Sequence, residues 1–262
     1  MKKYLKLYWL LIKLNFSSLT AFRSNFISSA FSSLLYAVFQ IVTILILTTN
    51  VKTAFGWSRE EMIILVSSFN IFIGIFHMLF SPNFERFSEI INLGQLDTIL
   101  MKPINSQFLV SMWLVNLASL LRVLFGCLFI SYFIISSHII VNFLSVLGYL
   151  LILPFSLVLL YSVWFIAMTL IIWFTRLSNL VELMFTLNGF SRYPKEMFQN
   201  ASLVVFYLVF PLVIIVSTPT RVLLHKFSLS EVLILLAITA IFFYISKMFW
   251  KFALRFYTSA GG

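Results

Sequence analysis

The sequence predicts an all-α membrane protein with six transmembrane helices, and composition, segment length and charge placement support this fold class. Hydrophobic residues make up 61% of the chain and charged residues 10%, with a mean hydropathy of +1.05. This exceeds what a soluble domain needs to fill one core. The net charge is +10, and the basic residues cluster between apolar runs. Such placement indicates membrane orientation and argues against a nucleic-acid partner.

Six apolar runs are long enough to cross a hydrocarbon core of about 30 Å, which takes about 20 residues of helix. They cover residues 26–49, 61–80, 112–137, 143–173, 201–218 and 229–250. The connections between them are short, and no internal repeat is visible. We therefore expect one transmembrane domain, residues 1–262, with a six-span bundle over 26–250.

Lys and Arg in the connections set the orientation, because basic residues resist translocation. One side holds thirteen of them: Lys2, Lys3, Lys6, Lys13, Arg23, Arg86, Lys102, Arg176, Arg192, Lys195, Lys247, Lys251 and Arg255. The other side holds Lys52, Arg59, Arg221 and Lys226. Both termini are therefore predicted to be cytoplasmic, in a multi-pass protein of a bacterial inner (plasma) membrane.

Residues 1–24 are predicted to form an interfacial helix before the first span. Lys2, Lys3, Lys6 and Lys13 share one arc of a helical wheel, with aromatic and aliphatic residues elsewhere. The lysines would face anionic lipid head groups. A simple basic flank that sets topology is the alternative.

The polar segment 81–105 lies between the second and third spans, on the predicted cytoplasmic side. Ser81–Pro82 is a typical helix start and Gly94 a typical stop. The apolar face of this helix is expected to consist of Phe84, Phe87 and Ile91. An amphipathic helix along the membrane surface is predicted here.

Beyond Gly94 the chain is predicted to form a small exposed knob that ends at Lys102–Pro103. Its apolar residues are Leu96, Ile99 and Leu100, beside the polar Asp97 and Thr98. A few apolar anchors with a polar rim are typical of a surface that docks into a groove on a partner. An ordinary solvated loop is the alternative.

Two segments, "LGQLDTILMKPIN" after the second span and "FTRLSNLVELMFTLNGFSRYP" after the fourth, resemble the six-helix permease subunits of ABC type-2 exporters. The resemblance implies a coupling helix over Gln95–Ile104 that fits a cleft of a separate ATPase subunit. It thereby assigns coupling to Gln95, Leu96, Asp97, Ile99, Leu100, Lys102 and Pro103. It also implies a second permease subunit, identical or related, and a re-entrant pair of helices before the last span.

The chain lacks G-x-x-x-x-G-K-[ST], so it is not expected to bind a cofactor or to be an enzyme. ATP and Mg²⁺ would be used by the partner ATPase. All eight carboxylates fall at span ends or in connections, which disfavours an ion-driven carrier or an intramembrane hydrolase. A stand-alone membrane binding protein or a lipid-modifying enzyme without a recognisable motif remains the alternative function.

Polar side chains follow one face of the first span, and lipid is not expected to cover them. The stripe contains Asn25, Ser29, Ser32, Ser33, Tyr36, Gln40 and Thr43. It marks either a substrate route or a seam between helices, and Ser29, Ser33, Tyr36, Gln40 and Thr43 are the candidate route residues. Export of an amphipathic or lipid-linked, anionic substrate would suit an apolar route with basic residues on its cytoplasmic side.

His77 and Arg122 have two competing interpretations each, and Cys127 has one. His77 lies on a second-span face with Ser67, Asn70 and Gly74, which favours helix packing over a ligand site. Arg122, inside the third span, is expected to snorkel to the interface, whereas a bundle-facing guanidinium would attract an anion. Cys127 is expected to be buried.

Pro211 and Pro219 predict a broken or re-entrant segment, in which case the fifth span would begin within 177–190. A second polar island follows the fourth span: Arg176, Glu182, Arg192, Lys195 and Glu196. It is predicted to form an amphipathic surface helix, acting as a gate, an ATPase contact or a membrane anchor.

Overall fold

The fold is organised around one central helix, α3 (Arg59–Leu79), whose apolar stretch is 78% buried by the rest of the protein. Ser58 caps its N-terminus by accepting from the Glu61 backbone N–H, while the Glu61 carboxylate accepts from the Ser58 N–H. The structure is a computed structural model that describes residues 2–21, 23–49, 53–174, 179–198 and 203–258.

The described residues are almost entirely helical, with one short antiparallel hairpin, β1 (Thr53–Ala54) and β2 (Trp57–Ser58), before α3. The long helices are α1 (Lys2–Ala21), α2 (Arg23–Leu47), α3, α8 (Leu120–Ser136), α9 (Phe143–Thr169), α11 (Leu203–Leu223) and α12 (Leu229–Ala253). The short helices are α4 (Ser81–Glu85), α5 (Phe87–Asn92), α6 (Gln95–Leu100), α7 (Ser106–Met112) and α10 (Leu180–Asn188). Single 3₁₀ turns cover Leu117–Ser119, Leu170–Ile172, Gly189–Arg192 and Lys195–Phe198.

Helices α3 and α8 approach closely because glycines lie where they cross. A Cβ on Gly74 would lie 2.7 Å from Val123 Cγ2, and one on Gly126 would lie 2.8 Å from the Ser67 carbonyl oxygen. Small residues at such contacts let two membrane helices pack backbone to backbone. The predicted packing role of the Gly74 face is therefore confirmed.

Five helical segments of the described chain have the length and hydropathy of membrane spans: Arg23–Leu47, Arg59–Leu79, Leu117–Ser136, Phe143–Ile172 and Leu229–Ala253. They match the predicted spans one, two, three, four and six. The third begins later than predicted because the chain from Trp113 to Asn116 is not helical. Asn83 holds that segment, accepting from the Leu114 N–H at 2.8 Å and donating to the Leu114 carbonyl at 2.9 Å.

The predicted fifth span, 201–218, is not a simple crossing. Phe185 of α10 stacks on His77 at one end of α3, whereas Glu196 accepts a hydrogen bond from Trp57 beyond the other end. The chain thus climbs about 30 Å along α3 between those residues, at 1.5 Å per helical residue. The alternative start of the fifth crossing within 177–190 describes this path better.

Helix α11 then returns to the end that Glu196 has already reached. Ser191 donates to the Leu212 carbonyl at 2.8 Å, and Arg221 forms an ion pair with Glu196. The chain therefore approaches that end twice before α12, as a re-entrant segment would. The predicted break at Pro211 is wrong, since α11 continues through both prolines. The residues that follow Pro211 are buried.

The prediction also placed part of the second polar island at the wrong end of the helix bundle. Lys195 pairs with Glu231 at 2.7 Å, and Arg221 bridges Glu196 and Glu231. Because Glu231 begins α12, Lys195 belongs to the end opposite the 81–105 segment, not to the same end as Lys102. A helix forms over part of the island as α10, and its predicted location on a membrane surface stays a prediction. Arg176 lies outside the described residues.

Two further predictions concern the burial of Cys127 and the position of the N-terminal helix. Cys127 is exposed on the outer face of α8, so its predicted burial is wrong. Helix α1 covers most of the predicted interfacial segment 1–24, and Asn15 donates to the Trp113 carbonyl at 3.2 Å. This contact places α1 at the end of the bundle that carries the 81–105 segment; its location on a membrane surface stays a prediction.

Candidate functional site

The segment 81–105 folds as a chain of short helices that is anchored by aromatic residues. Phe84 and Phe87 are fully buried and Ile91 nearly so, which confirms the predicted apolar face. The predicted single helix is instead two, α4 and α5, interrupted at Arg86. Gly94 then adopts a left-handed conformation with φ of 66°, which glycine tolerates, and redirects the chain into α6.

Helix α6 presents a different face from the one predicted. Leu96, expected to be an exposed anchor, is 0% exposed, because α6 uses it to dock onto the bundle. The exposed apolar residues of this segment are Leu93 at 62%, Leu100 at 38% and Met101 at 78%. We call these three residues the apolar tip. Only Leu100 of the tip was among the predicted coupling residues.

The other predicted coupling residues mostly hold α6 in place. Lys102 Nζ lies 4.4 Å from the centroid of the Trp113 ring, and Ile99 packs against the core. Burial and the nearby Asp97 carboxylate raise the pKa of the Tyr257 phenol, so the segment after α12 reaches α6. Gln95 is half-buried and Pro103 exposed.

A continuous aromatic cluster joins this segment to the centre of the bundle. Phe84 stacks on Trp164 of α9 with centroids 5.8 Å apart, and Phe87 lies 6.1 Å from Trp250 of α12. Trp164 in turn lies 4.9 Å from Phe185 of α10. These ring contacts pack α4 and α5 against α9 and α12, and α9 against α10.

The second candidate feature is the buried Arg122, whose expected snorkelling is wrong. Arg122 is 4% exposed, and its Nε donates to Asn70 Oδ1 at 2.8 Å while Nη2 donates to Gln40 Oε1 at 3.2 Å. The guanidinium also lies 5.0 Å from the ring centroid of Tyr36. Asn70 is about 17 Å along α3 from Arg59, so the charge is near the middle of the bundle.

Arg122 lines a cavity of about 400 Å³ between α2, α3, α8 and α10, which we call the arginine cavity. Its wall contains Ser29, Ser32, Ser33, Tyr36, Phe69, Ile73, His77, Asn116, Ser119, Arg122, Phe185, Asn188 and Gly189. The volume is within the range of ordinary small-molecule sites.

The structure divides the five predicted route residues into two groups. Ser29, Ser33 and Tyr36 line the arginine cavity. Gln40 instead lies in the helix seam as a partner of Arg122, and Thr43 donates to the carbonyl of Phe39 in its own helix at 2.8 Å. The polar stripe therefore lines the cavity at Ser29, Ser33 and Tyr36 and lies in a helix seam at Gln40.

The arginine cavity also contains Asn188, which the sequence did not single out, and His77, which was expected to serve helix packing. Asn188 is 3% exposed, and its Oδ1 accepts from Trp164 Nε1 at 3.1 Å. His77 contributes a ring that stacks on Phe185 with centroids 5.2 Å apart. The sequence could have marked Asn188 as a candidate, because it is a polar residue near the end of an apolar helical run.

Comparison with known proteins agrees with this architecture. No individually curated protein matches the chain. The family described as "ABC-2 family transporter protein" matches residues 34–261, which include the 81–105 segment, all of α3–α12 and most of α2. The chain therefore belongs to the ABC-2 family of transporter membrane proteins, in which it is a permease subunit of an ABC transporter.

Proposed function

We propose that this chain is the non-catalytic permease half of an ATP-driven exporter for an amphipathic or lipid-linked substrate, coupled to separate ATPase subunits through the apolar tip. Family membership implies association with ABC ATPase subunits. The observation that carries the assignment of the contact is the exposure of Leu93, Leu100 and Met101 above a completely buried Leu96.

The apolar tip has the form of a protein-docking surface. Three large apolar side chains are exposed at the ends of two short helices, Leu93 directly after α5 and Leu100 and Met101 at the end of α6, while residues such as Leu96 and Ile99 pack these helices against the core. Exposed apolar residues grouped at one place on a fixed scaffold are typical of interaction sites. The half-buried Gln95 and Lys102 would form part of the polar rim.

The aromatic cluster supplies a route for force from the tip to the substrate site. Closure of the ATPase subunits on ATP and Mg²⁺ would displace the tip together with Phe84 and Phe87. Trp164 contacts Phe84 on one side and Asn188 of the arginine cavity on the other. A displacement at the tip would therefore change the shape of the cavity, which is the two-state element that this mechanism needs.

A second permease subunit would complete the route. Ser32 and Tyr36 of the cavity rim are exposed on the outer face of α2. Polar groups on a membrane helix favour protein or water over lipid. A second bundle, identical or related, packed near α2 would enclose the open side of the arginine cavity between two protomers.

We infer that the end carrying the 81–105 segment, and both termini with it, face the cytoplasm of a bacterium whose inner membrane holds the protein. Even with Lys195 assigned to the opposite end, most of the basic residues outside the spans remain on the cytoplasmic side, which supports this orientation.

Cysteine labelling tests the orientation. In a Cys127→Ser background, Gln95→Cys should react with a membrane-impermeant maleimide only from the cytoplasmic side, and Met197→Cys only from outside. Met197 is 45% exposed and lies in the 3₁₀ turn whose Glu196 contacts Arg221. Labelling of both positions from one side would contradict the proposed path of the chain.

Substitution at the tip tests the coupling assignment. Met101→Asp places a charge in the apolar tip, and Phe55→Asp does the same at an exposed aromatic residue in the β-hairpin at the other end. We expect Met101→Asp to lower copurification of the ABC ATPase and coupled ATP turnover by about tenfold or more, because an uncompensated charge is desolvated on docking. Phe55→Asp should leave both unchanged. Equal behaviour of the two variants would refute the assignment.

A further inference from the structure

The arginine cavity holds a positive charge that the protein does not neutralise. The side-chain partners of Arg122 are the amide oxygens of Asn70 and Gln40, and the rings nearest to its guanidinium belong to Tyr36 and Phe69. Among the described residues, which include every Asp and Glu of the chain, no carboxylate forms an ion pair with Arg122. A buried cation held only by neutral groups is costly unless something else compensates it.

The cavity also offers a hydrogen-bond donor that has no acceptor. An indole N–H can only donate, so the atom of Asn188 that faces Trp164 must be Oδ1. This fixes the amide, and Nδ2 is left buried without a hydrogen-bond partner. Asn188 and Arg122 both line the arginine cavity.

Both features call for the same ligand chemistry. A buried guanidinium and an unpaired amide N–H are complementary to oxygen atoms that carry negative charge. Serine hydroxyls from α2 add groups that can donate as well. The aromatic rings of Tyr36, Phe69 and Phe185 supply apolar walls, so the cavity suits a charged oxyanion on a larger apolar body.

We propose that the arginine cavity recognises an oxyanion group of the transported substrate, a phosphate or carboxylate, through Arg122 and Asn188 Nδ2. This inference rests on the proposed export function and specifies its substrate class as anionic. The cavity volume of about 400 Å³ accommodates a head group, while an attached apolar chain would leave through the open side at Ser32 and Tyr36.

The site can be tested by equilibrium binding to the purified full-length protein in a neutral detergent. The probes are short-chain phosphatidic acid, the diacylglycerol of the same chain length, and inorganic phosphate. Wild-type protein should bind phosphatidic acid about tenfold or more tightly than diacylglycerol. Competition by inorganic phosphate at a concentration similar to that of phosphatidic acid would indicate a free anion as ligand. If inorganic phosphate does not compete, the lipid chain is required for binding.

Two substitutions probe the two donors separately. Asn188→Asp retains the oxygen that accepts from Trp164 but replaces the free donor by an anionic oxygen. Arg122→Gln removes the charge and keeps an amide that can still donate to Asn70. Each should weaken phosphatidic acid binding by about ten- to a hundredfold, and neither should change diacylglycerol binding.

The matched control is Lys247→Gln, which removes an exposed cation that lies 4.1 Å from the ring centroid of Phe243, outside the arginine cavity. It should leave phosphatidic acid binding unchanged. The proposal is overturned by equal affinity of the wild type for charged and neutral lipid, by unchanged affinity in Asn188→Asp, or by an equal loss in Lys247→Gln.

The test of anion binding in the arginine cavity can be distinguished from the test of ATPase coupling at the apolar tip. Asn188→Asp leaves the apolar tip intact and should copurify with the ATPase as the wild type does. Met101→Asp should lose the ATPase but still bind phosphatidic acid. Loss of both properties in one variant, together with a lower Tm in its thermal unfolding curve, would indicate misfolding of that variant. If Asn188→Asp is the misfolded variant, phosphatidic acid binding by a folded Arg122→Gln decides the test.

Discussion

The close contact between α3 and α8 makes Gly126→Ala a demanding test of the bundle. A Cβ at position 126 would lie 2.8 Å from both the Ser67 carbonyl oxygen and Ile71 Cγ1, and 3.2 Å from the Ile71 backbone nitrogen. Two of these neighbours are backbone atoms, which a rotamer change cannot move. The helices must therefore separate by about half an ångström or more to reach ordinary van der Waals contact.

Overpacking of this kind costs about 1–3 kcal/mol, and a protein of this size loses about 2–4 °C in Tm for each kcal/mol. We expect a decrease of about 2–12 °C for Gly126→Ala. The separation also lengthens the Arg122 to Asn70 hydrogen bond, now 2.8 Å, which joins the same two helices. Anion binding in the arginine cavity should therefore fall along with Tm.

The assay is thermal unfolding of the purified protein in detergent, followed by near-ultraviolet circular dichroism. Gly189→Ala is the matched control, because a Cβ there meets nothing within 4 Å and the residue has φ of −57°. Its Tm should remain within about 2 °C of wild type, since surface or open-space substitutions rarely exceed about 0.5 kcal/mol in either direction. An unchanged Tm in Gly126→Ala would refute the described α3–α8 contact.

Three further predictions follow from other contacts. Leu96→Ala should speed hydrogen exchange in α6 by destabilising its docking by about 2–5 kcal/mol, whereas Leu100→Ala, at an exposed position, should not. Trp164→Phe leaves the Asn188 oxygen without its donor and should lower stability by about 1–3 kcal/mol, seen as a lower Tm; an unchanged Tm would count against this hydrogen bond. Arg221→Met removes the cation that bridges two carboxylates at the opposite end and should lower Tm, with a smaller dependence of Tm on salt than in wild type. An identical salt dependence would contradict the bridge.

Long apolar runs made most of the bundle predictable. The predicted span 61–80 became α3, Arg59–Leu79, and the predicted span 229–250 became α12, Leu229–Ala253. Each apolar run must by itself be long enough to cross the bilayer, so its local composition is sufficient to predict a span. The fold class and the position of the 81–105 segment followed from the same argument.

The fifth crossing could not be found this way because it has no long apolar run. It is made of α10 and two 3₁₀ turns, with Lys195 and Glu196 in the second turn. Their charges are satisfied by Glu231 and Arg221, residues 25 or more positions later in the chain. A charge count treats such residues as a loop flank, although their partners place them at the opposite end.

Only part of the arginine cavity could be predicted, because some of its contacts join residues that are far apart in sequence. The stripe on α2 was visible as a periodic pattern, but the partners of Arg122 lie 52 and 82 positions away in sequence. Near a span end, a long basic side chain points either to the interface or to the bundle, and only the positions of Asn70 and Gln40 decide between them. Leu96 shows the same ambiguity, since a helix of six residues has no face that sequence alone marks as buried.

The central claim is that the apolar tip is the contact through which a separate ATPase drives this permease. The most direct measurement replaces Met101 by a photoreactive amino acid in native membranes and identifies the cross-linked product by mass spectrometry. We expect a product that contains a nucleotide-binding ABC subunit and that is absent when the same amino acid replaces Phe55. Cross-linking of position 101 only to lipid, or to no protein that binds ATP, would contradict it.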